Sequence, residues 1–176
     1  MTQPYFTIGH SNRSLDEFRA LLLGSAVTHV VDVRTVPRSR AIPQFNKETL
    51  PAALAESGVT YEHVAALGGL RGKAKDVPAD VNGFWTNESF HNYADYALSE
   101  RFRTGLEHLI DVGARQRSAI MCSEAVWWRC HRRIIADYLI VAGATVLHIM
   151  GSGRAETARV TAGAVPRPDG TVVYPG

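Results

Sequence analysis

Short runs of β-prone apolar residues alternate with stretches whose apolar side chains recur at helical spacing, and this alternation leaves the chain few architectures. Tyr5 to Ile8 is the first such run. Ser14-Leu15-Asp16-Glu17 then matches the capping box that satisfies free amide donors at a helix start, and Leu15, Phe18, Leu21 and Leu22 fall on one helical face. Gly24, able to adopt the left-handed conformation, is the expected stop. Thr28 to Val33 reads as the second strand. A helix near Lys47 to Glu56 tolerates Pro51 at its start if Thr49 is the cap, and Gly58 stops it before a strand at Val59 to Val64. Helices are expected next at about Ser89 to Leu98 and Ser99 to Val112, the second burying Phe102, Leu106, Leu109 and Ile110. Ser118 to Met121 is the following strand. Ile134, Ile135, Tyr138 and Leu139 mark a helix ended by Gly143, and Thr145 to Ile149 closes the series.

Parallel strands need crossovers, so this order predicts an α/β fold: a largely parallel sheet flanked by helices on both faces, a Rossmann-like three-layer sandwich. The 176 residues, 45% hydrophobic and 20% charged, suit a single domain with one sizeable core, here residues 1–150. Residues 151–176, rich in Gly, Ala, Thr and Pro, read as a tail that is either a hairpin turning at Pro168-Asp169-Gly170 or disordered. Leu67 to Phe90 holds four glycines and Pro78 without a period, the pattern of a lid. Strand order is not encoded in these patterns.

Nineteen Lys and Arg against seventeen Asp and Glu leave a net charge of +2, too mild for general nucleic-acid affinity, so any basic patch is local. Two cysteines exclude a disulfide framework. Leu139 to Met150 is interrupted by Gly143 and His148 and falls short of the roughly 20 residues of a membrane span, so no membrane partner is expected. Met1-Thr2-Gln3-Pro4 lacks the basic start and apolar stretch of a secretory signal, and a cytoplasmic location is the expectation. The oligomeric state is not legible.

Ligands of open parallel sheets bind beyond the carboxyl ends of the strands, and four of the five expected ends are polar. They carry Gly9-His10-Ser11, Asp32-Val33-Arg34, Cys122-Ser123-Glu124 and His148. The densest chemistry is Met121 to Arg133, between a strand and a helix. Free amides at a helix start favour an anion, while Arg129, Arg132 and His131 lower the pKa of a nearby thiol, which makes Cys122 the candidate nucleophile. The alternative is that Cys122 and Cys130 are small buried hydrophobes. Glu124 is a candidate acid or base, or a partner for Arg132. Arg34, Arg38 and Arg40 form a proline-held loop after Asp32 suited to phosphate, unless Asp32 simply pairs with a neighbouring arginine. Cys122, Cys130 and His131, with His10 or His148, supply donors for zinc or iron. Seven residues separate the cysteines, however, and adjacent Cys130 and His131 fit one ion poorly, so no cofactor or metal is assigned.

Several of these stretches together resemble the family catalogued as domain of unknown function 488. They are Thr7-Ile8-Gly9-His10-Ser11, Asp32-Val33-Arg34 with Pro37 and Ser39, Phe45-Asn46-Lys47, Gly58-Val59-Thr60-Tyr61, Leu67-Gly68-Gly69, and Cys122-Ser123-Glu124 with Cys130-His131-Arg132. The likeness runs nearly end to end, with the tail after Gly151 less typical. It implies an α/β sandwich of undetermined activity and names no reaction.

The residues therefore carry the functional expectation. It is a hydrolase or transferase acting on a phosphorylated small molecule, nucleotide or nucleic-acid end. Cys122, Glu124, His10 and His131 are the catalytic candidates, and Ser11, Asp32, Arg34, Arg38, Cys130 and Arg132 the ligand-binding ones. The competing readings are a nucleic-acid-associated module in which Trp85, Trp127 and Trp128 stack on bases without turnover, and a metal-pinned structural site.

Overall fold

A computed structural model describes residues 3–151 and 153–176; Met1 and Thr2 of the N-terminal run and Ser152 of the tail lie outside the described residues. The chain runs β1 (Tyr5–Gly9), α1 (Leu15–Gly24), β2 (His29–Asp32), α2 (Leu50–Ala55), β3 (Thr60–His63), α3 (Glu88–Tyr96), α4 (Glu100–Arg115), β4 (Ser118–Cys122), α5 (Arg132–Val141) and β5 (Val146–Gly151). These five strands are parallel, in the order β3-β2-β4-β1-β5, and β6 (Arg154–Thr157) adds an antiparallel edge beside β5.

Strand pleating sends alternate side chains to opposite faces, and two apolar clusters result. Phe6, Ile8, Val30, Ala119 and Met121 meet α1 and α2 on one face. Tyr5, Val31, Ile120 and Cys122 meet α3, α4 and α5 on the other, completing an α/β three-layer sandwich. The order places β1 and β4 side by side, with the chain leaving β1 toward β2 and leaving β4 toward β5. Loops that part in opposite directions open a crevice at the carboxyl ends of the two strands. Gly9, at the end of β1, pairs with Cys122 at the end of β4.

Two local expectations need correction. The capping box at Ser14 forms, but Gly24 lies inside α1, and the left-handed residue is Ala26, at φ 55°. Val27 N donates to Leu22 O and Ala26 N to Leu23 O, a Schellman closure whose position is set by burying Val27 in the core. In α4 the buried stripe is Phe102, Gly105, Leu109, Val112 and Gly113, and Ile110 is 37% exposed. Close contact with Leu67 and Tyr5 requires the small residues Gly105 and Gly113, which turns the helix away from the stripe read from its large apolar residues.

Beyond β6, β7 (Val165–Pro166) and β8 (Val172–Val173) form a hairpin closed by Arg167 and Gly170. Its buried end packs on α5: Tyr174 OH donates to Asp137 Oδ2 at 2.7 Å, and Tyr138 OH to Val172 O at 3.2 Å. Phe84 N donates to Tyr174 O, which ties the glycine-rich segment to the hairpin. Among the described residues no helix is long and apolar enough to cross a membrane.

Candidate functional site

A cleft of about 540 Å³ opens at the β1/β4 crevice, lined among others by His10, Arg34, Arg38, Cys122, Glu124, Arg129, Cys130 and His131. Seven of the ten residues singled out from the sequence therefore share one hollow, although they come from four separate stretches of chain. Asp32 and Arg132 lie behind its wall, completely buried, while Ser11 does not line it. Ser11 takes φ 49° where the chain turns away from β1, and its hydroxyl reaches only Asn12. His148, expected at a strand end, lies inside β5, which runs on to Gly151, and it is also outside the cleft, stacked on Trp127 at 4.6 Å.

One wall is built on Asp32. Its carboxylate accepts Arg34 Nε at 2.9 Å and Nη2 at 2.7 Å, and also the Tyr61 hydroxyl at 2.5 Å. Arg34 Nη2 donates to Phe45 O as well, and Nη1 to His10 Nε2 at 3.2 Å. With Nε2 accepting, His10 carries its proton on Nδ1, which donates to Ser11 O at 2.8 Å. Burial lowers the His10 pKa to about 4; the Ser11 bond opposes the shift and the Arg34 charge adds to it. The wall thus holds a neutral imidazole and an internally compensated arginine. Arg38, exposed, pairs with Glu48, and Arg40 lies outside the cleft.

The floor is different. Among the described residues Arg132 is the largest fully buried side chain, at 0% exposure, and its guanidinium bonds no carboxylate. Nε donates to Thr7 Oγ1 at 3.2 Å; Nη1 donates to Cys122 Sγ at 2.6 Å and to the Glu124 carbonyl at 2.7 Å; Nη2 reaches Ala125 O at 3.4 Å. Its backbone N–H, at the start of α5, points to Cys130 Sγ at 3.4 Å. Both cysteines are buried, at 3% and 5% exposure. Burial, and after it the neighbouring Cys130, push the Cys122 thiol well above its ordinary range. Burial also opposes ionisation of Cys130, but the neighbouring Cys122 and the Arg132 charge outweigh it and bring its thiol down. These two thiols are the ionisable groups beside the guanidinium that can supply a counter-charge, without which a buried cation costs several kcal/mol.

His131 completes the floor. Its Nε2–H donates to Val33 O at 2.8 Å, which leaves Nδ1 as an acceptor for the Cys130 thiol, whose sulfur lies at 3.5 Å. Burial lowers its pKa and keeps the ring neutral. Gly69 presses against this ring, where a Cβ would lie 2.4 Å from Nδ1. Glu124 is partly buried, lines the cleft and has no ion-pair partner among the described residues; Arg132 binds its carbonyl rather than its carboxylate. Arg129 stands exposed at the rim and likewise has no ion-pair partner among the described residues.

The sequence reading passed over Thr7. Its oxygen accepts from Arg132, so its hydroxyl hydrogen goes to His148 Nδ1 at 2.6 Å, fixing the guanidinium from behind. Burial, with the Arg132 charge adding to it, lowers His148 to about 3. A threonine inside the apolar run Tyr5-Phe6-Thr7-Ile8 was the available signal. Trp85 and Trp127 are held in stacks around Arg133, and only Trp128, 44% exposed, offers a free face. Among the described residues no three His, Cys, Asp or Glu side chains converge as a metal site.

A family model described as Domain of unknown function DUF488 matches residues 14–139, most of the chain, and begins after β1. No curated protein and no solved structure matches.

Proposed function

The chain belongs to the DUF488 family, and from its site we propose an enzyme that uses a thiolate to transfer a group from an anionic substrate. The substrate class is a phosphorylated small molecule, a nucleotide or a nucleic-acid end. One observation carries this reading: just beneath an open cleft that both cysteines line, a fully buried guanidinium donates to the Cys122 sulfur and, among the described residues, meets no carboxylate.

Cys130 holds the negative charge, supported by Arg132 and by the amide at the start of α5, and Cys122 shares its proton. The thiolate attacks the electrophilic centre, forming a bond from sulfur to the transferred group as the leaving oxygen departs. Glu124 protonates that oxygen, and Arg129 at the rim meets the substrate's charge. Water or a second acceptor then releases the group, the difference between a hydrolase and a transferase. His10 and Arg34 shape the wall, and Asp32 holds Arg34 in place.

The test is a thermal-shift screen with inorganic phosphate, nucleoside phosphates and short oligonucleotides, because a ligand of the native state raises its stability. Arg129→Ala is the variant of choice, since Arg34→Ala strands the buried Asp32 carboxylate. A phosphate compound is expected to raise Tm, less so in Arg129→Ala, and to slow alkylation of both cysteines by iodoacetamide. Free alkylation in the presence of every anion tried would overturn the reading.

A further inference from the structure

The chain contains two cysteines with seven residues between them in sequence, and the fold sets both on one cleft and both sulfurs against Arg132, Cys122 Sγ at 2.6 Å from its Nη1 and Cys130 Sγ at 3.4 Å from its backbone N. We infer that Cys122 and Cys130 are also a dithiol redox couple, a site at which an organic or hydrogen peroxide is reduced and an intramolecular disulfide is formed. The geometry supplies each requirement: a route in from solvent along the cleft that both cysteines line, a guanidinium against the Cys122 sulfur, and the amide at the start of α5 against the Cys130 sulfur. This activity shares the thiolate of the proposed group transfer but does not depend on an anionic substrate.

The Cys130 thiolate attacks the terminal peroxide oxygen; the S–O bond forms, the O–O bond breaks, and the alkoxide takes the proton of Cys122. Cys122, now a thiolate, attacks the Cys130 sulfenic acid, the S–S bond forms, and hydroxide leaves. Dithiol monoanion plus peroxide thus gives disulfide, alcohol and hydroxide: sulfur is oxidised and the peroxide reduced by two electrons. A thiol reductant such as glutathione or dithiothreitol returns the pair to its starting state by exchange.

A distinctive consequence follows from Arg132. Oxidation removes the ionisable thiols beside a guanidinium that has no carboxylate partner among the described residues. Closing so short a loop restricts the unfolded chain less than a long loop does, and leaving the buried cation without a counter-charge outweighs that gain. The oxidised protein is therefore less stable than the reduced one, the opposite of an ordinary structural disulfide, and its bond is easily reduced because the reduced form is the stabilised one.

The experiment treats the reduced full chain with stoichiometric hydrogen peroxide and tert-butyl hydroperoxide, then counts thiols after denaturation and measures intact mass and Tm. Expected are loss of both thiols together, a mass lower by two hydrogens, no cross-linked species on a non-reducing denaturing gel, a lower Tm, and full recovery with dithiothreitol. Cys122→Ser is expected to stop at a sulfenic acid on Cys130 that dimedone traps. Thiols that survive peroxide, a sulfinic acid in place of the disulfide, or a disulfide between chains overturns the inference. The two readings fail separately. Cysteines protected by phosphate but yielding no disulfide leave group transfer standing, and a clean disulfide with no anion protection leaves the redox couple standing.

Discussion

The carbonyl oxygen of Glu124 stands 1.7 Å from the point where a Cβ on Gly9 would lie. The end of β1 thus passes so close to the loop after β4 that only hydrogen fits between them, and the same carbonyl accepts from Arg132. Gly9→Ala must push Glu124 outward and with it the acceptor that orients the guanidinium. Overpacking of this kind costs about 1–3 kcal/mol. Urea unfolding should show that loss, and iodoacetamide should alkylate the cysteines more slowly than in the parent protein. A variant of unchanged stability and thiol reactivity contradicts the close approach.

Arg132→Met tests the charge at the floor directly. A methionine keeps most of the side-chain volume while removing the cation that favours the thiolate. With no guanidinium to balance, both sulfurs hold their protons, and alkylation at pH 7 should fall about tenfold or more, as expected when a thiol pKa rises by a unit or more. The pH profile of alkylation should move upward by the same amount. An unshifted profile in a folded variant removes Arg132 from the account of reactivity.

The α/β layering and the residues of the cleft were legible because strand ends in a parallel sheet face one edge, and polar residues at those ends stand out against apolar runs. Arg34 shows where such reading stops. Its spacing from Asp32 serves equally for a free phosphate ligand or a closed ion pair, and only the arrival of Tyr61 from β3 and the Phe45 carbonyl fixes the closed pair. Thr7 and His148 were missed as support for Arg132 because their contacts span 125 and 141 positions and depend on β1 lying between β4 and β5. A strand order that local patterns do not encode decides both.

The end of α1 offers a small test of the same limit. Ala26 is exposed and holds the left-handed conformation that Gly24 was expected to provide, at the cost its Cβ imposes. Ala26→Gly removes that cost without uncovering buried surface and should raise stability by about 1 kcal/mol in chemical unfolding. Gly24→Ala, inside the helix, should also stabilise, by up to about 1 kcal/mol. A destabilised Ala26→Gly shows that the helix ends elsewhere.

Acid should weaken the fold through its buried histidines. Burial lowers His10 to about 4 and His148 to about 3, and it lowers His131 as well. In the unfolded chain each binds a proton near pH 6.5, so below that value the unfolded state takes up protons that the folded state refuses. The sign follows: these groups leave stability unchanged well above pH 6.5, and stability falls as the pH drops toward their folded values. Each histidine contributes a slope of about 1.4 kcal/mol per pH unit within that window. His148→Gln keeps an acceptor for the Thr7 hydroxyl and cannot titrate, so its unfolding free energy should fall less steeply between pH 6 and 4 by about one histidine's share. Equal slopes for the two proteins mean that His148 is already protonated in the native state, which the donor arrangement from Arg132 through Thr7 forbids.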